Sequence, residues 1–166
     1  MKLDDPFAQL ERSHRRLEER LDDLTRASAS EPLDIELVRE VAGFFARAVR
    51  RHEEDEEASL FPRLATSKEA EALAPILERL AREHREHEAL HAKLDAIVKD
   101  LDAGKDARAA LDAVADALVR AYRTHIEEEE RALFPAARAA LDSAATTAIV
   151  EEMDARRGAR RGGGRP

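Results

Sequence analysis

The chain has 166 residues, 39 % of them charged and 43 % hydrophobic, enough apolar material for one packed domain. Aromatics are only 4 %, and Ala, Leu, Glu and Arg dominate over β-branched residues, which argues for helices and against an all-β fold. Cysteine is absent, so disulfides, thiolate metal ligands and a cysteine nucleophile are excluded, and the net charge of −8 disfavours nucleic acid as partner of the folded body.

The first ten residues form no apolar signal run, and no stretch is long and apolar enough to span a membrane. A soluble, cytoplasmic protein without a membrane partner is expected. Leu3, Phe7, Leu10, His14, Leu17, Leu21 and Leu24 step by three or four residues, the period of a helix that Asp4, Asp5 and Pro6 would start. A break at 28–32 precedes a second helix from about Asp34, with Leu37, Val41, Phe45, Val49, His52, Glu56 and Leu60 on one face and Pro62 disturbing its last turn. Thr66 and Glu69 read as a capping box for a third helix that runs to about Leu101 and is interrupted at Pro75. Gly104 and Asp106 punctuate the next connection. A fourth helix carries Leu111, Val114, Leu118, Tyr122, His125, Glu129 and Leu133 before Pro135, and a short fifth spans Asp142 to Arg157. The expected fold is all-α: an antiparallel up-down four-helix bundle over 1–157, including the short C-terminal helix, then a disordered Gly/Arg tail over 158–166. The arginines of that end, Arg156, Arg157, Arg160, Arg161 and Arg165, read as a solubilising terminus.

The two halves align without a gap at an offset of 73 residues, and twelve of the thirty positions from 36 to 65 are identical to their partners. His14 maps onto His87, His52 onto His125, Glu56 onto Glu129, and Leu60-Phe61-Pro62 onto Leu133-Phe134-Pro135. Residues four apart on a helix share a face, so His52 and Glu56 point the same way, as do His125 and Glu129, along stripes that otherwise carry core residues. The sequence thus aims four imidazoles and two carboxylates at an apolar interior. A carboxylate there costs several kcal/mol unless a cation or strong donors meet it. A metal centre removes the cost, since imidazole and carboxylate suit iron, manganese or zinc. A single inward histidine is more often a hydrogen-bonded core residue, and acidic runs are usually a solvated face, the expectation for Glu54, Asp55, Glu127 and Glu128. Two matched copies of the whole set are harder to explain in that way.

Further residues lie close to the six. His84 and His91 flank His87 by one helical turn on either side, as a fifth ligand or as a base behind the ligands. Glu53 is a spare carboxylate whose repeat partner is Ile126, and Tyr122 is a core aromatic or a hydrogen-bond donor toward the site. A different two-metal scheme would use the Glu-x-x-His spacing of Glu11–His14 and Glu88–His91, but it is one helical turn out of register with the repeat and leaves His52, His87 and His125 unused.

His14, His52-x3-Glu56, His87 and His125-x3-Glu129, with Leu-Phe-Pro after each His-x3-Glu, resemble the hemerythrin-like, or HHE cation-binding, family over roughly 4–140. The resemblance implies a bundle around two non-haem iron ions, oxo- or hydroxo-bridged, with His14, His52, His87 and His125 as terminal ligands and Glu56 and Glu129 as bridges. The chain departs from the oxygen-carrying members at Glu83, four residues before His87, where they have histidine. It departs again where the repeat favours Glu129 over Glu130. The resemblance therefore implies a protein that binds or reacts with a small diatomic or peroxide ligand (peroxide, dioxygen or nitric oxide). An iron-binding or sensing module without turnover, and an oxygen carrier or store, are the alternatives.

Overall fold

The computed structural model describes residues 5–161, with the side chains of 159–161 left out, and is all-helical: no strand occurs among the described residues. Helix α1 is Pro6–Ala29. Helix α2 comprises Ile35–Phe44, a π-helical turn Phe45–Val49, Arg50–Asp55, a second π-helical turn Glu56–Leu60 and Phe61–Leu64. Helix α3 is Ala70–Asp102, and α4 comprises Arg108–Glu128, a π-helical turn Glu129–Leu133 and Phe134–Ala140. Helix α5 is Ser143–Arg161. It continues past 157, so the expected domain boundary falls inside it, and the rest of the expected tail, 162–166, lies outside the described residues.

Local chemistry sets the ends. The Asp5 carboxylate accepts from the Phe7 N–H with Pro6 at the first helical position, and Asp34 accepts from the Leu37 N–H at 3.0 Å. Thr66 does not cap α3. Its hydroxyl donates back to the Pro62 carbonyl while the Ser67 hydroxyl accepts from the Glu69 N–H, and α3 passes through Pro75 unbroken. Gly104, at φ 76°, closes α3 by donating to the Leu101 carbonyl, a conformation that glycine adopts without penalty.

Pro62 and Pro135 explain the two matched π-helical turns. Neither has an N–H to give to the carbonyl four residues back, and each ring crowds that carbonyl, so the α ladder opens just upstream. The opened turns begin at Glu56 and at Glu129. The other π-helical turn, Phe45–Val49, has no counterpart in α4, which is regular over Arg108–Glu128.

Helix α1 packs on α2 and α4, and α3 packs on α2 and α4. Their inward stripes build two apolar clusters. One gathers Leu17, Leu21, Leu24, Val41, Leu94 and Leu118 among others; the second gathers Leu10, Leu60, Leu64, Leu80, Leu133 and Phe134 among others. His14, His52, His84, His87 and His125 fall between the two clusters on their helices, forming a buried polar layer.

Helix α5 lies against α1 and α2 through Ile149, Val150 and Met153. Asp55, expected to be solvated, is 1 % exposed. Arg156 and Arg157 of α5 each place a guanidinium nitrogen 2.8 Å from its carboxylate, and Arg156 also donates to the Ser59 hydroxyl at 2.6 Å. Two of the arginines ascribed to a solubilising end are therefore structural. A run of acids looks solvated only if every face of the helix is assumed free, and α5 covers the face that carries Asp55. Exchanging both Arg156 and Arg157 for glutamine is expected to lower stability by about 3 kcal/mol, because one charge of a buried pair is left alone. Adding Asp55→Asn should recover most of the loss, as urea denaturation of the three proteins would read.

Candidate metal centre

The helices deliver six side chains to one place. His14 comes from α1, His52 and Glu56 from α2, His84 from α3, and His125 and Glu129 from α4. They form two groups, His14–His52–Glu56–Glu129 and Glu56–His84–His125–Glu129, in each of which four ligand atoms lie within 4.8 Å of one another. Glu56 and Glu129 belong to both groups and are 0 % exposed. His14 Nε2 lies 3.1 Å from His52 Nε2, and His84 Nε2 lies 3.1 Å from His125 Nε2.

The orientation of the rings decides what this layer can do. The Nδ1 of His14 faces Glu130 at 2.8 Å, that of His84 faces Glu57 at 2.7 Å, and that of His125 faces Glu83 at 2.7 Å. A carboxylate is acceptor only, so each of these Nδ1 atoms carries its proton and each neutral ring turns an Nε2 lone pair inward. With both rings neutral, the two Nε2 atoms of the His84–His125 pair are acceptors facing each other, a conflict that a proton or a metal ion relieves. The Glu56 and Glu129 oxygens are buried and make no hydrogen bond, although imidazole nitrogens stand 3.1–3.3 Å away. Acceptors converging on acceptors at such distances call for cations, so the residues present fit metal ions.

His87 belongs to neither group, and His84 takes the place expected for it. The Nδ1 of His87 is 3.5 Å from Glu53 Oε1 without a hydrogen bond, and its ring packs on Tyr122 and on His125. Contacts in the two halves pair His84 with His14: Phe61 stacks on His84 as Phe134 stacks on His14, and Glu57 meets His84 as Glu130 meets His14. The offset of 73 holds for Phe61–Phe134 and Glu57–Glu130 but becomes 70 for the α1 and α3 histidines. The unmatched π-helical turn gives a reason. It takes in an extra residue between the α2 start and His52, leaving His52 nearer its connection than His125 is to its own. The imidazole that meets His125 sits three residues further from the connection, about 4.5 Å along α3, of which the extra residue of that turn accounts for about 1.5 Å. Nothing in the residue pattern marks that widened turn.

The remaining expected residues have other partners. Tyr122 donates to Glu53 at 3.3 Å and lies 2.7 Å from His91 Nε2, so buried Tyr122 links the half-buried Glu53 and His91 beside the layer. Glu130 is held by Arg15 as well as by His14. Glu11 pairs with Arg138 at 3.4 Å and Glu88 is exposed, so the Glu-x-x-His scheme is not assembled. A surface groove between α2 and α3, lined by Glu53, Glu57, His84 and His91 among others, reaches the layer on the His84 side.

Burial and charge pull the histidines apart. Burial alone would lower His84 and His125, but the Glu56 carboxylate lifts His84 to about 9 and the Glu129 carboxylate lifts His125 to about 10. His91 faces no comparable compensation, and burial takes it down to about 4. Burial opposes ionisation of Glu56, yet His52 and His84 hold it well below the ordinary carboxylate range. Burial and Glu53 push the Tyr122 phenol well above its usual value.

A family model described as Hemerythrin HHE cation binding domain matches residues 5–137, with a second, overlapping match over 76–157. A comparison with curated proteins finds no match.

The shifts fix the pH response of the metal-free protein. His84 and His125 bind protons more tightly when folded, so their stabilisation is complete below pH 6.5 and is lost as pH rises through 9 to 10. His91 binds its proton less tightly when folded, so stability is lost as pH falls from 6.5 toward 4. Urea denaturation of the chelator-treated protein is expected to find a maximum near pH 6.5 and a steady fall in stability from there to pH 9. His91→Gln should make the fall on the acid side shallower and leave the alkaline side unchanged, because His87, also lowered by burial, still contributes there.

Proposed function

The chain belongs to the hemerythrin HHE cation-binding family, and on that premise we propose that it holds two non-haem iron ions and meets a small oxidant (peroxide, dioxygen or nitric oxide) with them. The four long helices form the antiparallel up-down bundle of the family. His14 and His52 would hold one ion and His84 and His125 the other, with Glu56 and Glu129 available to both. The observation that carries this reading is the pair of buried carboxylates shared by two imidazole pairs, with no hydrogen bond to their oxygens.

An iron pair would supply electrons one or two at a time and a coordination position for a small ligand. The rest falls to the chain. Glu57, Glu83 and Glu130 hold the ligand rings in one tautomer and keep their Nε2 atoms turned inward. Phe61 and Phe134, stacked on His84 and His14, and the apolar clusters on either side keep bulk water from the layer. The groove lined by Glu53, His84 and His91 gives a small molecule one approach. Tyr122 keeps its proton and donates it to a hydrogen bond with Glu53, a residue that lines that approach.

A sensing role without turnover is the second reading. It draws on Asp55, which precedes Glu56 in sequence and is gripped by two arginines of α5, so that metal loading and docking of the C-terminal helix share one stretch of α2.

Protein from iron-supplemented cells is expected to carry about two irons per chain with near-ultraviolet charge-transfer bands, and Glu56→Ala or Glu129→Ala to carry fewer than one. Wild-type protein that takes up no iron would end the proposal. Rapid mixing with peroxide, nitric oxide and oxygen separates the two readings: repeated turnover favours the oxidant reaction, and a single stoichiometric event favours the sensor.

A further inference from the structure

The two imidazole pairs are alike around the shared carboxylates and unlike behind them. Each ring that ligates through Nε2 in its neutral form must keep a proton on Nδ1, and that N–H needs an acceptor once it is buried. On one side both needs are met: His84 has Glu57 at 2.7 Å, and His125 has Glu83 at 2.7 Å. On the other side, His14 shares the Glu130 carboxylate with Arg15, which binds the same oxygen. His52 has nothing, because its Nδ1 is buried and has no hydrogen-bond partner among the described residues. The residue before His84 is Glu83, and the residue before His14 is Ser13. The acid that orients His125 thus has no counterpart for His52.

From this asymmetry we propose that Glu83 is a positioning residue that makes the two metal positions unequal, so that the first ion enters the His84–His125 side and the second the His14–His52 side. The inference rests on the dinuclear reading above. A carboxylate behind a ligating imidazole fixes its tautomer, aims its lone pair and makes it a stronger donor, an effect worth ten- to a hundred-fold in metal affinity. An imidazole with a buried, unanswered N–H ligates at a cost, because binding locks in the tautomer that leaves this hydrogen unpaired. The side favoured by its acids is also the side reached by the groove between α2 and α3, which is lined by His84 and by none of His14, His52 and His125.

Titration of the metal-free full chain with Co2+, followed by calorimetry and by the visible spectrum, tests the order without any turnover. Two steps of one ion each are expected, separated by at least ten-fold in affinity. His14→Ala should remove the weaker step and keep the tighter one. Glu83→Gln, which replaces no ligand, should weaken the tighter step ten- to a hundred-fold and leave the weaker step and its spectrum unchanged. A general loss of structure would move both steps together. Equal affinities in the wild type, loss of the tighter step in His14→Ala, or equal weakening of both steps in Glu83→Gln would each overturn the order while leaving a two-ion centre in place. Uptake of fewer than two ions by the wild type would instead overturn the dinuclear reading, and the order with it.

Discussion

Two carboxylates sit at the middle of this molecule with no exposure to solvent, and among the described residues no lysine or arginine is buried with them. That electrostatic demand organises the rest. A carboxylate in such a place is tolerable only if positive charge reaches it, and the groups within reach are imidazoles. Protons on His84 and His125 meet the demand in part, which is why both rings hold them far above the usual range. A metal ion answers the same demand more fully, because it accepts lone pairs from carboxylate and imidazole together, whereas a proton can sit on one of them only. The layer is therefore poised between two kinds of cation, and loading with metal must expel protons.

The acidic runs that flank this layer show how one helix serves several neighbours at once. Successive residues on a helix point about 100° apart, so three acids in a row face three directions. Asp55 turns to the arginines of α5, Glu56 to the interior and Glu57 to His84 on α3. In the other half Glu128 turns to Arg79, Glu129 to the interior and Glu130 to His14. In each half the acid that enters the interior is bracketed by one that anchors the helix to a neighbour and one that orients an imidazole of the opposite pair. The acidic character of the run is a consequence of three separate needs and not of solvation.

Much of this is legible in the sequence, and the rest is hidden for identifiable causes. The His-x3-Glu pairs and the Leu-Phe-Pro motifs lie on one continuous helix in each half, so a fixed offset relates them faithfully. The α1 and α3 histidines are related to those pairs only through a connection and a packing register, and in that register α3 offers His84, one helical turn from His87. Periodicity can place His84 and His87 on the same buried face, but it cannot choose between them. Asp55 reads as solvated because its partners lie about a hundred residues away on α5, and such distant pairs leave no trace in local pattern. Glu53 and Tyr122 meet across halves, at positions where the repeat has Ile126 and Val49. There the breakdown of the repeat is itself the signal: a polar residue replaces an apolar one in each half, and the two replacements meet.

The prolines tie the local chemistry to the site. An uninterrupted α-helix running out of His52 and Glu56 would keep Phe61 in fixed phase with them. The π-helical turn forced by Pro62 takes in one more residue and rotates the helix beyond it by about 100°. Phe61 then stacks on His84, as Phe134 stacks on His14 after the turn forced by Pro135. A residue type that cannot donate a hydrogen bond thus brings an aromatic wall against each imidazole pair. The motif that follows each His-x3-Glu is the device that closes the polar layer, and it is repeated in both halves because there are two imidazole pairs to close.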